Sequence, residues 1–240
     1  MFDLSNKVAV ITGSGSRSGI GFATAKVLAK AGANILITST TDRILERVKE
    51  LRDMFGKNRV EGLSADLTDE KQVQTLVNTT LKYFSKVDIL VNNAGMVQVG
   101  HDQPSKTFDK LSMESWDYGI GINLTSTFLV TRYILPEIKK QNIGRIINVS
   151  SVTGTLVGIN GSTVYSAAKA AMLGLTRSLA IEEGINGITV NCVGPGWIKT
   201  GSSTADELKA GTFTPVGRPG KPEEIAHTVL FLASNEASYV

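Results

Sequence analysis

Two side chains four residues apart, Tyr165 and Lys169, have the types and spacing that acid–base chemistry requires. On a helix this spacing places both on one face, within reach of one ligand. An adjacent ammonium favours the tyrosinate, so we expect Lys169 to lower the pKa of Tyr165 from its ordinary value of ~10. Tyr165 could then donate and accept a proton near neutral pH, as the interconversion of an alcohol and a ketone needs. Ser151, fourteen residues earlier, or its neighbour Ser150 could bond the substrate oxygen.

A glycine-rich turn near the start of the chain predicts a site for a pyrophosphate. The run Lys7–Thr12 is apolar and rich in β-branched residues, which is typical of a buried strand. The turn Gly13–Gly21 follows it, and a helical pattern continues to Ala31. Glycines let the backbone approach phosphates, and the free N–H groups at the start of a helix meet their negative charge.

The elements that must position these residues alternate along the chain. Strand-like runs occur at 7–12, 34–38, 59–64, 87–92, 144–149 and 188–193. Helical patterns occur at 19–31, 41–55, 69–84, 112–140, 163–184 and 222–233. Alternating β and α units predict an α/β fold, a Rossmann-type doubly wound parallel sheet with helices on both faces, in a single domain over 1–240. The ligand crevice is expected at the carboxyl ends of the strands, where the motifs fall.

Composition and charge exclude several classes of function. The net charge is +3, and the basic residues are scattered, so no nucleic-acid partner is expected. No apolar run approaches the ~18 residues of a membrane span, and the N-terminus does not resemble a signal peptide. The single cysteine, Cys192, excludes an internal disulfide and is typical of a cytoplasmic protein. His101 and His227 are far apart in the sequence, and no metal site is predicted.

The ordered motifs resemble those of the short-chain dehydrogenase/reductase family. Those that carry the resemblance are, in order, the glycine turn, Asp66-Leu67, Asn92-Asn93-Ala94-Gly95, Asn123, Ser151, Tyr165, Lys169, Pro195-Gly196 with Thr200, and 217–224. Residues 4–240 are covered, and the closing segment is most similar to the 3-oxoacyl-carrier-protein reductase branch. The resemblance implies a homotetramer. Family members usually continue for a further strand in the subunit interface, so this sequence is expected to lack a C-terminal strand.

The resemblance implies four catalytic residues. Tyr165 would protonate the carbonyl oxygen in reduction and accept the proton in oxidation. Lys169 would bond the ribose hydroxyls of the nicotinamide and lower the pKa of Tyr165. Ser151 is preferred to Ser150 as the substrate-binding hydroxyl, because the residues after it match the family's usual continuation. Asn123 matches the helix-kinking asparagine that holds a water between the lysine and solvent.

The resemblance also implies a set of cofactor contacts. They are Gly13, Ser16, Arg17, Gly19, Ile20, Ser39, Arg43, Asp66, Leu67, Asn92, Ala94, Gly95, Tyr165, Lys169, Pro195, Gly196, Ile198 and Thr200. Asn92 and Gly95 would flank the adenine ribose and the nicotinamide, and the loop 195–200 would hold the carboxamide. Asp66 would contact the adenine ring, or it could instead cap the helix that begins near Asp69.

The glycine turn departs from the family pattern. Five residues separate Gly13 from Gly19, two more than the family's turn has. Either the loop carries two extra residues, or Gly15 takes the role of the first glycine. The insertion is the preferred interpretation, because Gly13 directly follows the strand.

Cofactor choice depends on the end of the second strand. NAD-selective members of the family carry an acid where Ser39 stands here, and that acid bonds the ribose 2′-hydroxyl. Ser39 cannot repel a 2′-phosphate, and Arg17 or Arg43 could pair with one. NADP(H) is therefore expected rather than NAD(H), with Asp42 as the ribose ligand if the preference is the reverse.

The substrate prediction rests on two differences from the carrier-protein reductases. The segment Val97–Lys110, expected beside the substrate mouth, is longer here. Asn142 and Asn186 stand where those reductases carry basic residues, although Lys139 and Lys140 are close in sequence. We therefore expect an NADP(H)-dependent carbonyl reductase or alcohol dehydrogenase with a small-molecule substrate. The alternatives are a 3-oxoacyl-carrier-protein reductase of fatty-acid synthesis, which would bind an acyl-carrier-protein thioester, and a catalytically silent dinucleotide-binding scaffold or sensor.

Overall fold

A computed structural model describes residues 2–96 and 107–240. Within those ranges six parallel strands form one sheet, in the order β3-β2-β1-β4-β5-β6. The strands are β1 (Val8–Ile11), β2 (Asn34–Ser39), β3 (Val60–Ser64), β4 (Ile89–Asn92), β5 (Gly144–Val149) and β6 (Ile188–Val193). The predicted α/β class and all six predicted strands are confirmed.

Helices cover both faces of the sheet. They are α1 (Ile20–Lys30), α2 (Arg43–Phe55), α3 (Glu70–Phe84), α4 (Met113–Ile120), α5 (Ser126–Lys139), α6 (Val152–Thr155), α7 (Thr163–Glu183), α8 (Ala205–Gly211) and α9 (Pro222–Ala233). Of these, α6 is a four-residue turn with non-helical dihedral angles inside it. The short helix α8 was not predicted from the sequence.

The core lies in two layers, because alternate residues of a strand point to opposite faces of the sheet. Ile11 of β1 packs in the layer that contains α1, α2 and α9, whereas the preceding residue, Val10, packs in the layer that contains α3 and α5. Both side chains are fully buried. The strands are therefore apolar on both faces, as is usual in a parallel sheet covered by helices.

The predicted helix 112–140 is interrupted. Between α4 and α5 the residues Gly121–Thr125 form a π-helical turn, at the place where the family resemblance implied a kink at Asn123. Asn123 lies inside this turn, and its amide bonds both Gly119 of the preceding helix and Met96 of the loop after β4. Single π-turns inside α-helices occur frequently at functional sites.

None of the helices in the described ranges is long and apolar enough to cross a membrane. Among the same residues, no group of three or more His, Cys, Asp or Glu side chains is arranged to hold a metal ion. His101 and most of the segment predicted beside the substrate mouth lie outside the described residues.

Candidate active site

A cavity of about 1110 Å³ lies along the carboxyl ends of the strands. Small-ligand pockets typically measure ~300–1,000 Å³, so this one has room for a large ligand. Every predicted catalytic and cofactor-contact residue lines it except Arg17 and Asn92. The parallel sheet brings these residues together because the loops that carry them all follow strand ends at one edge.

Asn92 and Arg17 point elsewhere. The Asn92 amide is buried beneath the cavity, where it donates to Thr131 Oγ1 and Asn148 Oδ1, each at 2.9 Å. As the last residue of β4, it follows the alternation of the strand into the core. The Arg17 guanidinium lies 3.2 Å from the Glu50 carboxylate with its side chain largely in solvent. In this structure neither residue touches the cavity.

Tyr165 and Lys169 share one face of the first turns of α7, as their spacing predicted. The Lys169 Nζ lies 5.6 Å from the centroid of the Tyr165 ring. Lys169 is only 3 % exposed, and its ammonium donates to the Val149 carbonyl at 3.0 Å. The lysine therefore forms part of the cavity floor, bonded to the last residue of β5.

The pKa values of this pair differ from the expectation. Burial raises the pKa of Tyr165, the hydrogen bond from Ser151 lowers it, and the Glu207 carboxylate raises it. Burial also lowers the pKa of Lys169 to about 8. The prediction that Lys169 lowers the tyrosine pKa was wrong for this structure, because loss of solvation at the phenol dominates and the ammonium is bonded to the backbone.

Ser151 and Ser150 have separate partners. The Ser150 hydroxyl is buried and donates to the Lys169 carbonyl at 2.8 Å, so it fixes the backbone of α7 to the end of β5. The Ser151 hydroxyl is hydrogen-bonded with Tyr165 and also accepts from the Thr153 N–H at 3.1 Å. The geometry therefore favours Ser151 as the hydroxyl that would meet a substrate oxygen beside Tyr165.

Asn123 connects the π-helical turn to the loop after β4. Its Oδ1 accepts from the Met96 N–H at 2.8 Å, and its Nδ2 donates to the Gly119 carbonyl at 3.0 Å. A Cβ at Gly95 would lie 2.8 Å from Asn123 Oδ1 and 3.3 Å from Lys169 Nζ. Gly95 is therefore a glycine because the loop passes close to both polar groups.

The glycine turn is fixed to the loop after β4. Gly13 has φ +68°, and a Cβ there would lie 2.7 Å from Ala94 Cα. The Thr12 hydroxyl accepts the N–H groups of Asn93 and Ala94 at 3.0 and 2.9 Å. In return, Asn93 Nδ2 donates to the Thr12 and Gly13 carbonyls at 3.0 and 3.1 Å. This close approach explains why position 13 is a glycine, and the interpretation of the turn as a two-residue insertion after it stays a prediction.

The extra length of the turn reaches the end of β2. A Cβ at Gly15 would lie 2.6 Å from Arg43 Nε and 2.7 Å from Ser39 Oγ. Ser39 and Arg43 both line the cavity. Asp42 does not, and its carboxylate accepts from Ser64 Oγ at 2.7 Å. This end of the cavity therefore presents a hydroxyl and a guanidinium, without the Asp42 carboxylate.

Asp69, rather than Asp66, caps α3. Its carboxylate accepts from the N–H groups of Lys71 and Gln72 at 2.8 and 3.3 Å. Asp66 lines the cavity, and its carboxylate accepts from the N–H and hydroxyl of Thr68. Asp66 is thus placed where the resemblance predicted an adenine contact.

Some lining residues were missed by the sequence interpretation. They include Asn93, Met96, Trp197, Ser203, Asp206 and Glu207. Glu207 is positioned by a capping box in which Thr204 Oγ1 accepts from the Glu207 N–H at 3.2 Å and Glu207 accepts from the Thr204 N–H at 2.8 Å. The Thr-x-x-Glu pattern of 204–207 is readable in the sequence and would have indicated this helix.

The residues present fit a nicotinamide dinucleotide. Gly13 lines the cavity with a positive φ, which glycine adopts without strain, and Gly19 precedes the first residue of α1. Gly19 and Ile20 line the cavity, so the start of α1, where helices leave N–H groups without intrahelical partners, borders it. The cavity continues from there to Tyr165 and Lys169.

Comparisons with known proteins agree with this geometry. The sequence pattern of a family described as "Enoyl-(Acyl carrier protein) reductase" matches residues 13–240. The chain is 41% identical to the Thauera aromatica (2S)-[(R)-hydroxy(phenyl)methyl]succinyl-CoA dehydrogenase subunit BbsD, over 99% of this chain and 93% of the relative. It is 37% identical to the Escherichia coli 3-oxoacyl-[acyl-carrier-protein] reductase FabG, over 98% of this chain and 92% of the relative. The crystal structure of a Sinorhizobium meliloti dehydrogenase/reductase superposes with a TM-score of 0.89 at 30% identity, covering 100% of this chain and 92% of that one.

Proposed function

The chain belongs to the short-chain dehydrogenase/reductase family and is an oxidoreductase that acts on CH–OH groups, and from this premise we propose that it uses NADP(H) to interconvert a small-molecule ketone and its secondary alcohol. One observation carries the proposal. The Tyr165 phenol is hydrogen-bonded with Ser151 in the wall of the large cavity, with the buried Lys169 ammonium beside the tyrosine ring.

The nicotinamide, when bound, supplies or accepts the hydride. In reduction Tyr165 donates its phenolic proton to the substrate oxygen, and in oxidation the tyrosinate accepts the proton of the alcohol. Ser151 donates a hydrogen bond to the same oxygen and stabilises the negative charge that develops there. The raised pKa of Tyr165 keeps the proton on the phenol at neutral pH, which suits the donor role in reduction.

Lys169 would hold the cofactor ribose while its ammonium remains tied to the Val149 carbonyl. With a pKa of about 8, the ammonium is mostly protonated at pH 7 and can donate to ribose hydroxyls. Gly95 separates the ammonium from Asn123 of the π-helical turn, because a Cβ at Gly95 would approach both groups. The proposed roles of Lys169, Tyr165 and Ser151 thus depend on the Lys169–Val149 and Ser151–Tyr165 hydrogen bonds.

The proposed preference for NADP(H) rests on Ser39 and Arg43. Both line the cavity at the end of β2, next to Gly15 of the longer turn. A guanidinium can pair with a 2′-phosphate through two parallel hydrogen bonds, and a serine hydroxyl does not repel it. Arg43, rather than Arg17, is the proposed partner, because Arg17 is paired with Glu50 outside the cavity.

A small carbonyl compound is the proposed substrate, rather than a thioester on an acidic carrier protein. Lys139 lies 3.0 Å from Glu183, and Lys140 lies 2.6 Å from Glu137, so both lysines near Asn142 are already paired within the chain. The second candidate, a 3-oxoacyl-carrier-protein reductase, is supported by FabG relatives in Vibrio harveyi and Thermotoga maritima at 37% and 38% identity. The silent scaffold is not supported, because the chain is an oxidoreductase.

The remaining proposals follow the family resemblance and the sequence. We propose one catalytic domain over residues 1–240 and a homotetrameric assembly. We also propose a cytoplasmic location. The one cysteine of the sequence, Cys192, is free and partly buried, which suits a reducing compartment.

A substrate panel read by NADPH consumption tests the proposed function. It should contain aliphatic ketones, aryl ketones and a 3-oxoacyl thioester, each assayed with NADPH and with NADH. We expect the highest kcat/KM with NADPH and an uncharged ketone. A thioester preferred over every ketone would transfer the assignment to the carrier-protein reductase. Turnover of no carbonyl compound with either cofactor would overturn the proposal.

A further inference from the structure

The wall of the cavity carries the carboxylate of Glu207, which has no ion-pair partner among the described residues. Glu207 lines the cavity, and one of its oxygens accepts from the Thr204 N–H at 2.8 Å. Among residues 2–96 and 107–240 it forms no ion pair. Asp206, exposed on the same turn, adds a second carboxylate to the cavity wall. This negative charge is therefore available to act on whatever the cavity holds.

The positive charges of the cavity lie elsewhere. Within the described parts of the chain, only Arg43 and Lys169 contribute cations to the lining. Arg43 is at the end of β2, beside Ser39, where the cofactor ribose is proposed to bind. Lys169 is buried and bonded to the Val149 carbonyl. Within residues 2–96 and 107–240, no side chain therefore neutralises the carboxylate of Glu207.

Apolar side chains make up much of the surrounding wall. Val152, Val157, Ile159, Trp197 and Leu208 line the same cavity as Tyr165 and Glu207. Val157 is 51 % exposed and Ile159 is 38 % exposed, so both leave apolar surface open at the mouth. Binding of an apolar ligand would cover this surface and so stabilise the complex.

Glu207 and Tyr165 line the same cavity. Burial is the main cause that raises the pKa of the Tyr165 phenol, and the Glu207 carboxylate adds to it. A substrate that binds in this cavity with a negative group near its carbonyl carbon would be repelled by the same carboxylate. Like charges a few ångströms apart in a partly buried site reduce binding by about tenfold or more.

We propose that Glu207 restricts this site to bulky, apolar ketones and secondary alcohols that carry no negative charge near the reacting carbon. The proposal rests on the proposed function and names its substrate class. Glu207 is a specificity-determining residue in this scheme: it takes no proton and forms no bond to the reacting atoms. It rejects anionic substrates by repulsion, while the apolar wall retains uncharged ones.

A matched pair of ketones tests the proposal. 3-Acetylbenzamide and 3-acetylbenzoate have nearly the same shape and differ in charge. We expect wild-type kcat/KM with NADPH to be at least tenfold higher for the amide. The Glu207→Gln variant should narrow that ratio to about threefold or less. Glutamine keeps the capping box, since its amide oxygen accepts from the Thr204 N–H, so α8 should remain folded.

Glu223→Gln is the control, because it removes the same charge from an exposed position of α9 outside the cavity. Its amide-to-benzoate ratio should match that of the wild type. Equal wild-type kcat/KM values for the two ketones, or an unchanged ratio in Glu207→Gln, would overturn the proposal.

Binding separates this inference from the proposed function. Isothermal titration calorimetry of the two ketones, with NADP⁺ present, measures the same discrimination without turnover. We expect the amide to bind at least tenfold more tightly than the benzoate in the wild type, and the difference to shrink in Glu207→Gln. If neither ketone is reduced but this pattern holds, the inference stands and the proposed activity on aryl ketones fails. Equal affinities in the wild type overturn the inference, whether or not the ketones are reduced.

Discussion

The Ser150 hydroxyl donates to the Lys169 carbonyl at 2.8 Å, while the Lys169 ammonium donates to the Val149 carbonyl at 3.0 Å. Two hydrogen bonds therefore connect the end of β5 to the second turn of α7. One is made by the Ser150 side chain and the other by the Lys169 side chain. Ser151, the next residue along, is held in place by this connection and meets the Tyr165 hydroxyl. The proposed acid, its hydrogen-bond partner and the buried lysine are thus connected through the end of β5.

Replacement of Tyr165 by phenylalanine removes the proposed proton donor and leaves the ring in place. We expect kcat to fall by about two to three orders of magnitude, since general acid catalysis contributes ~10²–10⁴-fold. NADPH affinity, measured by fluorescence titration, should remain close to that of the wild type. Tyr83→Phe, an exposed tyrosine of α3 outside the cavity, is the control. Tyr165→Phe activity within about tenfold of wild type would contradict the assignment.

The buried Lys169 should make stability depend on pH. The unfolded chain keeps the lysine proton up to its ordinary pKa of 10.5, whereas the folded protein loses it near 8. Between these values the unfolded state binds more protons, so the free energy of unfolding rises with pH. At ~1.4 kcal/mol per pKa unit, the full rise is roughly 3 kcal/mol.

Lys169→Met lacks the titrating group and provides the comparison. Urea unfolding of both ligand-free proteins at about pH 7.5, 9 and 10.5 should show wild-type stability increasing relative to the variant. Parallel pH dependence in the two proteins would mean that Lys169 is solvated in the folded state.

Cofactor preference should respond to the side chains at the end of β2. Ser39→Asp places a carboxylate where a 2′-phosphate is proposed to bind, and like charges at contact cost ~1 kcal/mol in water and several where screening is weaker. We expect kcat/KM for NADPH to fall tenfold or more and that for NADH to rise. Arg43→Ala should weaken NADPH alone, and Arg17→Ala should change either value by less than about twofold. A wild-type preference for NADH would refute this proposal and leave the family's reaction unchanged.

A methyl group at position 95 should disturb the site without removing a functional side chain. In Gly95→Ala the new Cβ would lie 2.8 Å from Asn123 Oδ1 and 3.3 Å from Lys169 Nζ, so one of them must move. Overpacking of this kind costs ~1–3 kcal/mol, and we expect a lower Tm together with a loss of kcat. Gly184→Ala adds a methyl group with no atom within 4 Å and should change neither. A fully active Gly95→Ala enzyme would show that the Asn123 position is not critical.

The sheet could be predicted from the sequence because its determinants are local. Each strand is a short apolar run, and the predicted limits of β5 (Gly144–Val149) and β6 (Ile188–Val193) match the structure. Because the strands are parallel, the loops that follow them lie at one edge of the sheet, whatever the conformation of each loop. This explains why nearly all predicted site residues line one cavity.

The features that could not be predicted depend on contacts between distant residues. The resemblance implied a kink at Asn123, but the π-helical form of Gly121–Thr125 was not predicted, and Asn123 there bonds the backbone of Met96, a partner in another loop. The direction of the Tyr165 pKa shift was missed because it depends on burial, which spacing along a helix does not reveal. Asn92 was misplaced because only the observed register shows which way a strand-end side chain points. The functional roles of the lining residues remain predictions.

The reciprocal hydrogen bonds between Thr12 and Asn93 constrain how this enzyme can change. Thr12 accepts two N–H groups of the loop after β4, and the Asn93 amide returns two bonds to the carbonyls of Thr12 and Gly13. Substitution of either residue alone leaves partly buried partners without these bonds, at up to ~1–3 kcal/mol for each. The two loops are therefore expected to evolve together. A change in the backbone at Thr12 or Gly13 should require a compensating change at position 93.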